Sequence, residues 1–157
     1  MSKTIVVFGA ATGLGTRVAR SYGAKGYDVV LVGRQAPPLQ ALASELGREG
    51  IYPRTFIGDL TIPEHAAALV RSIRHTLPSL DAIYYGPDQP QPYLPATAVA
   101  LDTAQEWADL LFLSLVAVVN EVLPEMRARR AGAILVAQSR TADKGTPYLS
   151  GPGPAMA

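Results

Sequence analysis

Three glycines stand at positions 9, 13 and 15, directly behind the apolar run Ile5-Val6-Val7-Phe8. A turn that leaves a strand and opens a helix offers unpaired amides and the positive end of the helix dipole to an anion. Side chains at those three positions would hold the backbone away from a pyrophosphate, so the spacing predicts a phosphate-binding turn. Other reactive chemistry is sparse. There are no cysteines, which excludes disulfides, thiolate catalysis and Cys-based zinc sites. The two histidines, His65 and His75, sit ten apart in a polar, helix-like stretch and read as solvated surface residues, so no metal site is expected.

The elements that must position the glycines follow from the apolar pattern. Ile5–Phe8, Val29–Val32, Tyr52–Ile57, Ala82–Tyr85 and Ala133–Ala137 read as strands. Several are almost continuously apolar, as strands buried on both faces of a parallel sheet are. Helices are expected at about Leu14–Lys25, Pro38–Glu49, Pro63–Thr76 and Ala104–Arg129. Thr61-Ile-Pro-Glu64 and Thr103-Ala-Gln-Glu106 both fit the capping box. Alternation of this kind predicts an α/β fold, a three-layer Rossmann-like doubly wound parallel sheet with right-handed crossovers and helices on both faces. The segment "GPDQPQPYLP" from Gly86 to Pro95 holds four prolines and reads as a loop after the fourth strand.

Bulk properties agree with one globular domain over residues 1–157, with 48% hydrophobic and 17% charged residues. A net charge of +1 makes no electrostatic case for nucleic acid or an anionic membrane. No signal-like segment opens the chain, and no stretch reads as approaching the ~18 apolar residues of a membrane span. A cytoplasmic protein is therefore expected.

The spacing Gly9-x-x-x-Gly13-x-Gly15 resembles the short-chain dehydrogenase/reductase family, and the resemblance runs along the whole chain. Asp59-Leu60 after the third strand is similar to that family's Asp-(Val/Leu) pair, which contacts adenine. "EWADLL" and "LPEMRARRAGAILVAQS" resemble its fourth helix and fifth strand. The resemblance implies a nicotinamide dinucleotide with Gly9, Thr12, Gly13, Leu14 and Gly15 at the pyrophosphate and Asp59 and Leu60 at the adenine. The second strand ends Val32-Gly33-Arg34, with no acid to hydrogen-bond the ribose hydroxyls. The Arg34 guanidinium fork suits a 2′-phosphate, so NADP(H) is preferred over NAD(H).

The family's catalytic set fits less well. A tyrosine whose pKa is lowered by a lysine four residues later donates the proton, a serine orients the substrate, and an asparagine in the fourth helix supports the lysine. Ser139 after "ILVAQ" matches the serine, but Pro152-Gly-Pro-Ala-Met156 stands where the Tyr-x-x-x-Lys is expected. Tyr148 is the nearest phenol, with Lys144 preceding it by four. The asparagine position falls on Ser114 or Leu111, depending on the alignment, and Tyr84-Tyr85-Gly86-Pro87 replaces the family's Asn-Asn-Ala-Gly. Family members also continue for another long helix and further strands, so the chain is expected to be incomplete relative to them at its C-terminus. Three readings follow: a nucleotide-binding protein with a degenerate active site, an oxidoreductase drawing its proton from Tyr148, Tyr85, the substrate or water, and an interaction module that ignores nucleotide. A small-molecule partner and a possible homo-oligomer go with the first two.

Overall fold

The structure, a computed structural model, describes residues 2–87 and 94–138. Five parallel strands form one sheet in the order β3-β2-β1-β4-β5. The strands are β1 (Thr4–Phe8), β2 (Asp28–Gly33), β3 (Arg54–Ile57), β4 (Ala82–Tyr85) and β5 (Ala133–Val136). The helices between them are α1 (Gly13–Gly23), α2 (Ala36–Arg48), α3 (Pro63–His75), α4 (Leu101–Ala108) and α5 (Ser114–Arg129).

Side chains alternate across the pleat, and the core divides accordingly. Val6, Phe8, Val30, Val32, Ile83 and Tyr85 face α3 and α5, where Val70, Ile73, Val118 and Val122 meet them. Ile5, Val7, Val29, Leu31, Ala82 and Tyr84 face the other way, against Ala19 of α1 and Leu39, Leu42 and Leu46 of α2. Each aliphatic side chain buried this completely contributes about 1.5–3 kcal/mol of transfer free energy. That two-sided burial is why the central strands lack polar alternation. The outer strands β3 and β5 are largely exposed.

The chain moves outward from β1 through β2 to β3, then returns by α3 to place β4 on the other side of β1. The order reverses between β1 and β4, and such a reversal opens a crevice beyond the carboxyl ends of the strands. Gly9, Arg34, Leu60 and Pro87 all follow strand ends at that crevice.

Three expectations need correction. Neither capping box forms. Helix α3 is preceded by Ile62 and opens on Pro63, while the Thr61 hydroxyl and N–H both donate to the Asp59 carboxylate, at 2.7 and 2.9 Å. Helix α4 starts two residues before Thr103, at Leu101, so that hydroxyl lies inside the helix and caps nothing. The expected single helix from Ala104 to Arg129 is instead α4 and α5 joined through a π-helical turn at Asp109–Leu113. The joined rod, Leu101–Arg129, reaches the length and composition of a membrane span, with a mean hydropathy of 1.6 over its most apolar window. The sequence pattern hides this because Asn120 and Glu121 interrupt the apolar run. One face of the rod, through Leu110, Val118, Val122 and Met126, packs into the core under α3.

Candidate nucleotide-binding site

Strand β1 ends in a turn held by backbone amides and two threonine hydroxyls. The N–H groups of Gly9 and Ala10 both donate to the Val32 carbonyl at 3.1 Å, tying the turn to the end of β2. The Thr12 hydroxyl donates to the Gly9 carbonyl at 2.9 Å, and the Thr16 hydroxyl donates to the Ala10 carbonyl at 3.0 Å. Helix α1 then begins at Gly13 with no acidic residue in its first turn. The amides of Gly13 and Leu14 are the first of the helix and have no intrahelical acceptor. An uncompensated dipole and free donors are what an anion needs.

The three glycines turn out to be bare for three different reasons. Gly9 has φ +80°, and a Cβ there would lie 2.3 Å from the Gly86 carbonyl oxygen. A Cβ on Gly15 would lie 2.2 Å from the Gly9 carbonyl oxygen, so this glycine lets α1 settle on the turn. Only at Gly13, φ +25°, would a Cβ meet nothing. Two of the three therefore also serve close packing within the protein, and one faces open space.

Above the turn lies a cleft of about 260 Å³ lined by Gly9, Ala11, Thr12, Gly33, Arg34, Gln35, Pro38, Leu60, Pro87 and Leu110. Of the expected cofactor residues, Gly9, Thr12, Arg34 and Leu60 line it directly. Gly13 and Leu14 are exposed at the start of α1, and Gly15 is buried beneath. Asp59 is exposed at the loop before α3. Partial burial opposes its charge, yet the two Thr61 donors, Arg34 and His65 outweigh that and hold the carboxyl below its ordinary range. Among the described lining residues Arg34 is the single charged group, and none is a carboxylate.

Sequence reasoning missed Gln35 and Pro38 from the start of α2, and Pro87 and Leu110 from beyond β4. The α2 pair could have been found from adjacency to Arg34. Leu110 carries no local signal, since its place depends on the π turn.

The catalytic side of the crevice is described only in part. Ser139, Lys144 and Tyr148 lie outside the described residues. Tyr85 does lie within them, and the structure removes it as a proton donor. It is 2% exposed, its hydroxyl donates to the Leu110 carbonyl, and burial pushes the phenol far up, with the neighbouring Ser114 hydroxyl offsetting only part of this. Ser114, one of the two candidates for the asparagine position, is fully buried and donates to the Leu60 carbonyl at 2.6 Å. Leu111, the other candidate, packs against the core.

Residues 3–151 match the family model described as short chain dehydrogenase. The chain belongs to that family. It is 28% identical over 151 residues to a serine 3-dehydrogenase of Agrobacterium fabrum, covering 96% of this chain and 58% of the relative. The short-chain dehydrogenase fold is shared with a metagenomic short-chain oxidoreductase solved in complex with NADP. The TM-score is 0.92 at 20% identity, covering 99% of this chain and 71% of that one. A short chain dehydrogenase from Shigella flexneri 2a strain 301, complexed with NADP, superimposes with a TM-score of 0.88 at 24% identity, over 98% of this chain and 66% of that one. The chain spans about three fifths of the length of the curated relative, and what it carries is the oxidoreductase scaffold of the family.

Proposed function

We propose that this chain binds NADP(H) in the crevice above β1 and β4, in preference to NAD(H). The observation that carries the reading is Arg34, the one cation among the described lining residues, at the end of β2 where an acid would otherwise hold the ribose hydroxyls. A guanidinium fork there pairs with a 2′-phosphate, and none of the described lining residues is a carboxylate that would repel one. The chain's residues fit the rest of the dinucleotide. The open side of Gly13 and the free amides of the first turn of α1 would take the pyrophosphate, with Gly9, Thr12, Leu14 and Gly15 shaping that turn. Leu60 and Asp59 would border the adenine.

A bound nicotinamide would supply or accept hydride. What this chain's own residues add to that is reduced under this reading. The Tyr-x-x-x-Lys is replaced, Tyr85 is sealed away, and Ser114 spends its proton on a backbone carbonyl. The scaffold therefore works as a nucleotide-binding protein with impaired catalysis, suited to sensing or regulation. The runner-up is an active NADP-dependent oxidoreductase with Ser139 as substrate contact and a proton from Tyr148, the substrate or water. Its support is that hydride transfer demands mainly positioning against the nicotinamide.

Titration of the protein with NADPH and with NADH, repeated on Arg34→Ala, tests the proposal. NADPH is expected to bind more tightly, and the variant to lose roughly 10- to 100-fold in NADPH affinity while leaving NADH where it was. Equal affinities in the native protein would overturn the preference. Turnover of NADPH with a carbonyl compound, slowed by Ser139→Ala, would favour the runner-up.

A further inference from the structure

Two hydroxyls sit under the cleft without facing it. Tyr85 ends β4 and Ser114 opens α5, and both are almost wholly buried. The Tyr85 hydroxyl donates to the carbonyl of Leu110, and the Ser114 hydroxyl donates to that of Leu60. Leu60 and Leu110 are the two apolar residues that wall the cleft from the α3 and α4 sides. Ser114 also follows Leu110 by four residues, so both hydrogen bonds bear on the same turn of the helix. Each hydroxyl gives its proton to a carbonyl, so the two bonds together tie the Leu110–Ser114 turn to β4 on one side and to the Leu60 loop on the other.

The π turn makes the Tyr85 bond possible. In an α-helix the Ser114 N–H would bond the Leu110 carbonyl, four residues back. Here it bonds the Asp109 carbonyl, five residues back, so the Leu110 carbonyl is released toward the Tyr85 hydroxyl. A helix carries such a turn at a cost in hydrogen-bond geometry, and turns of this kind concentrate at functional sites. A buried carbonyl left without a donor would be costly, so the tyrosine and the π turn require each other.

We infer that Tyr85 and Ser114 are positioning residues for the nucleotide cleft, joined as one clamp that fixes the separation of its Leu60 and Leu110 walls. The inference rests on the nucleotide reading of that cleft. Neither hydroxyl touches the nucleotide. Their effect is exerted through the two backbone segments they hold.

Tyr85→Phe and Ser114→Ala each remove one oxygen and leave the apolar packing in place. Each is expected to weaken NADPH binding roughly tenfold, and the double variant to lose little more than either single one, because one clamp is broken in all three. Amide hydrogen exchange in the nucleotide-free protein is the second measurement. Residues 59–62 and 109–114 should exchange faster together in both single variants, with α2 unchanged. A drop in melting temperature with unaltered NADPH affinity would overturn the positioning role, as would exchange that rises only beside the hydroxyl removed. If the native protein bound neither nucleotide, the nucleotide reading would fall and the role in the cleft with it. The exchange pattern would still decide whether the clamp itself exists.

Discussion

The two sides of the crevice are built from different materials. On the β1–α1–β2 side, the atoms that meet the cleft at the turn are mostly backbone, fixed by Gly9, Gly15 and the two amides bonded to Val32. On the β4–α5 side, what meets the cleft depends on side chains: Tyr85 against a π turn, Ser114 against a loop carbonyl, and Leu110 displaced into the wall. A site made of backbone constrains a few positions by steric necessity and leaves the rest free. A site made of side chains can be rewritten residue by residue while the fold persists. Here the first side keeps the family's spacing, and the second carries Tyr84-Tyr85-Gly86-Pro87 where the family has Asn-Asn-Ala-Gly.

The largest expected effect comes from breaking the seam where the two sides touch. In Gly9→Ala the new Cβ would press on the Gly86 carbonyl 2.3 Å away, in a backbone conformation that favours glycine. A stability loss on the order of 3 kcal/mol or more is expected, read from urea unfolding. A loss under about 1 kcal/mol would mean that the β4 loop yields easily and that the seam is not rigid.

Next is the anchor at the opposite end of β4. The Asp81 carboxylate accepts the Thr4 N–H at 2.9 Å, the Ser79 hydroxyl at 2.8 Å and the Arg129 guanidinium at 2.9 Å. Burial works against its charge, but these donors prevail and hold the carboxyl below its ordinary value. A depressed folded-state pKa adds stability that is complete above the unfolded value of about 3.9 and is lost as pH falls through the folded value. Asp81→Asn should cost about 1–3 kcal/mol at neutral pH, and its stability should converge with that of the native protein in acid. Parallel pH curves for the two proteins would refute the assignment.

Gly13→Ala sharpens the contrast with Gly9. Its Cβ meets no protein atom, so the stability cost should stay near 1 kcal/mol, set by the backbone angle alone. NADPH affinity should fall by about tenfold, since the methyl group would stand where the pyrophosphate approaches the amides. Unchanged affinity would put the pyrophosphate elsewhere. The smallest effect is a gain. Arg130 ends α5 at φ +52°, where its N–H and that of Ala131 bond back to the Arg127 and Met126 carbonyls. Arg130→Gly should stabilise by roughly 0.5–1 kcal/mol in thermal unfolding, without touching nucleotide binding.

Much of the fold was legible because burial on both faces writes itself into a strand as an unbroken apolar run. Val29–Val32 and Ala82–Tyr85 could hardly be anything else in a parallel sheet. The glycine turn and Arg34 were legible for a related reason: each lies within a few residues of the strand that places it. The start of α3 at Pro63 was read correctly, but its cap and the start of α4 at Leu101 were misread because Thr61 and Thr103 match a local pattern that the fold does not use. Thr61 gives its proton to Asp59, a competition that no pattern of spacing records. The π turn was illegible altogether, because nothing in "DLLFL" distinguishes i→i+5 from i→i+4 bonding.

By itself the sequence determined the parallel sheet, the glycine turn between β1 and α1 and the cation at the end of β2, since these follow from short-range sterics, periodicity and charge. The tertiary structure alone decided what each glycine is bare against, that the Tyr85 hydroxyl is buried against the Leu110 carbonyl, and that Leu110 belongs to the cleft. Most of those outcomes depend on contacts between residues far apart in the chain, such as Tyr85 with Leu110, Ser114 with Leu60 and Gly9 with Gly86. Only the folded chain brings such groups within bonding distance, and only there can burial set the cost of leaving one of them unpaired.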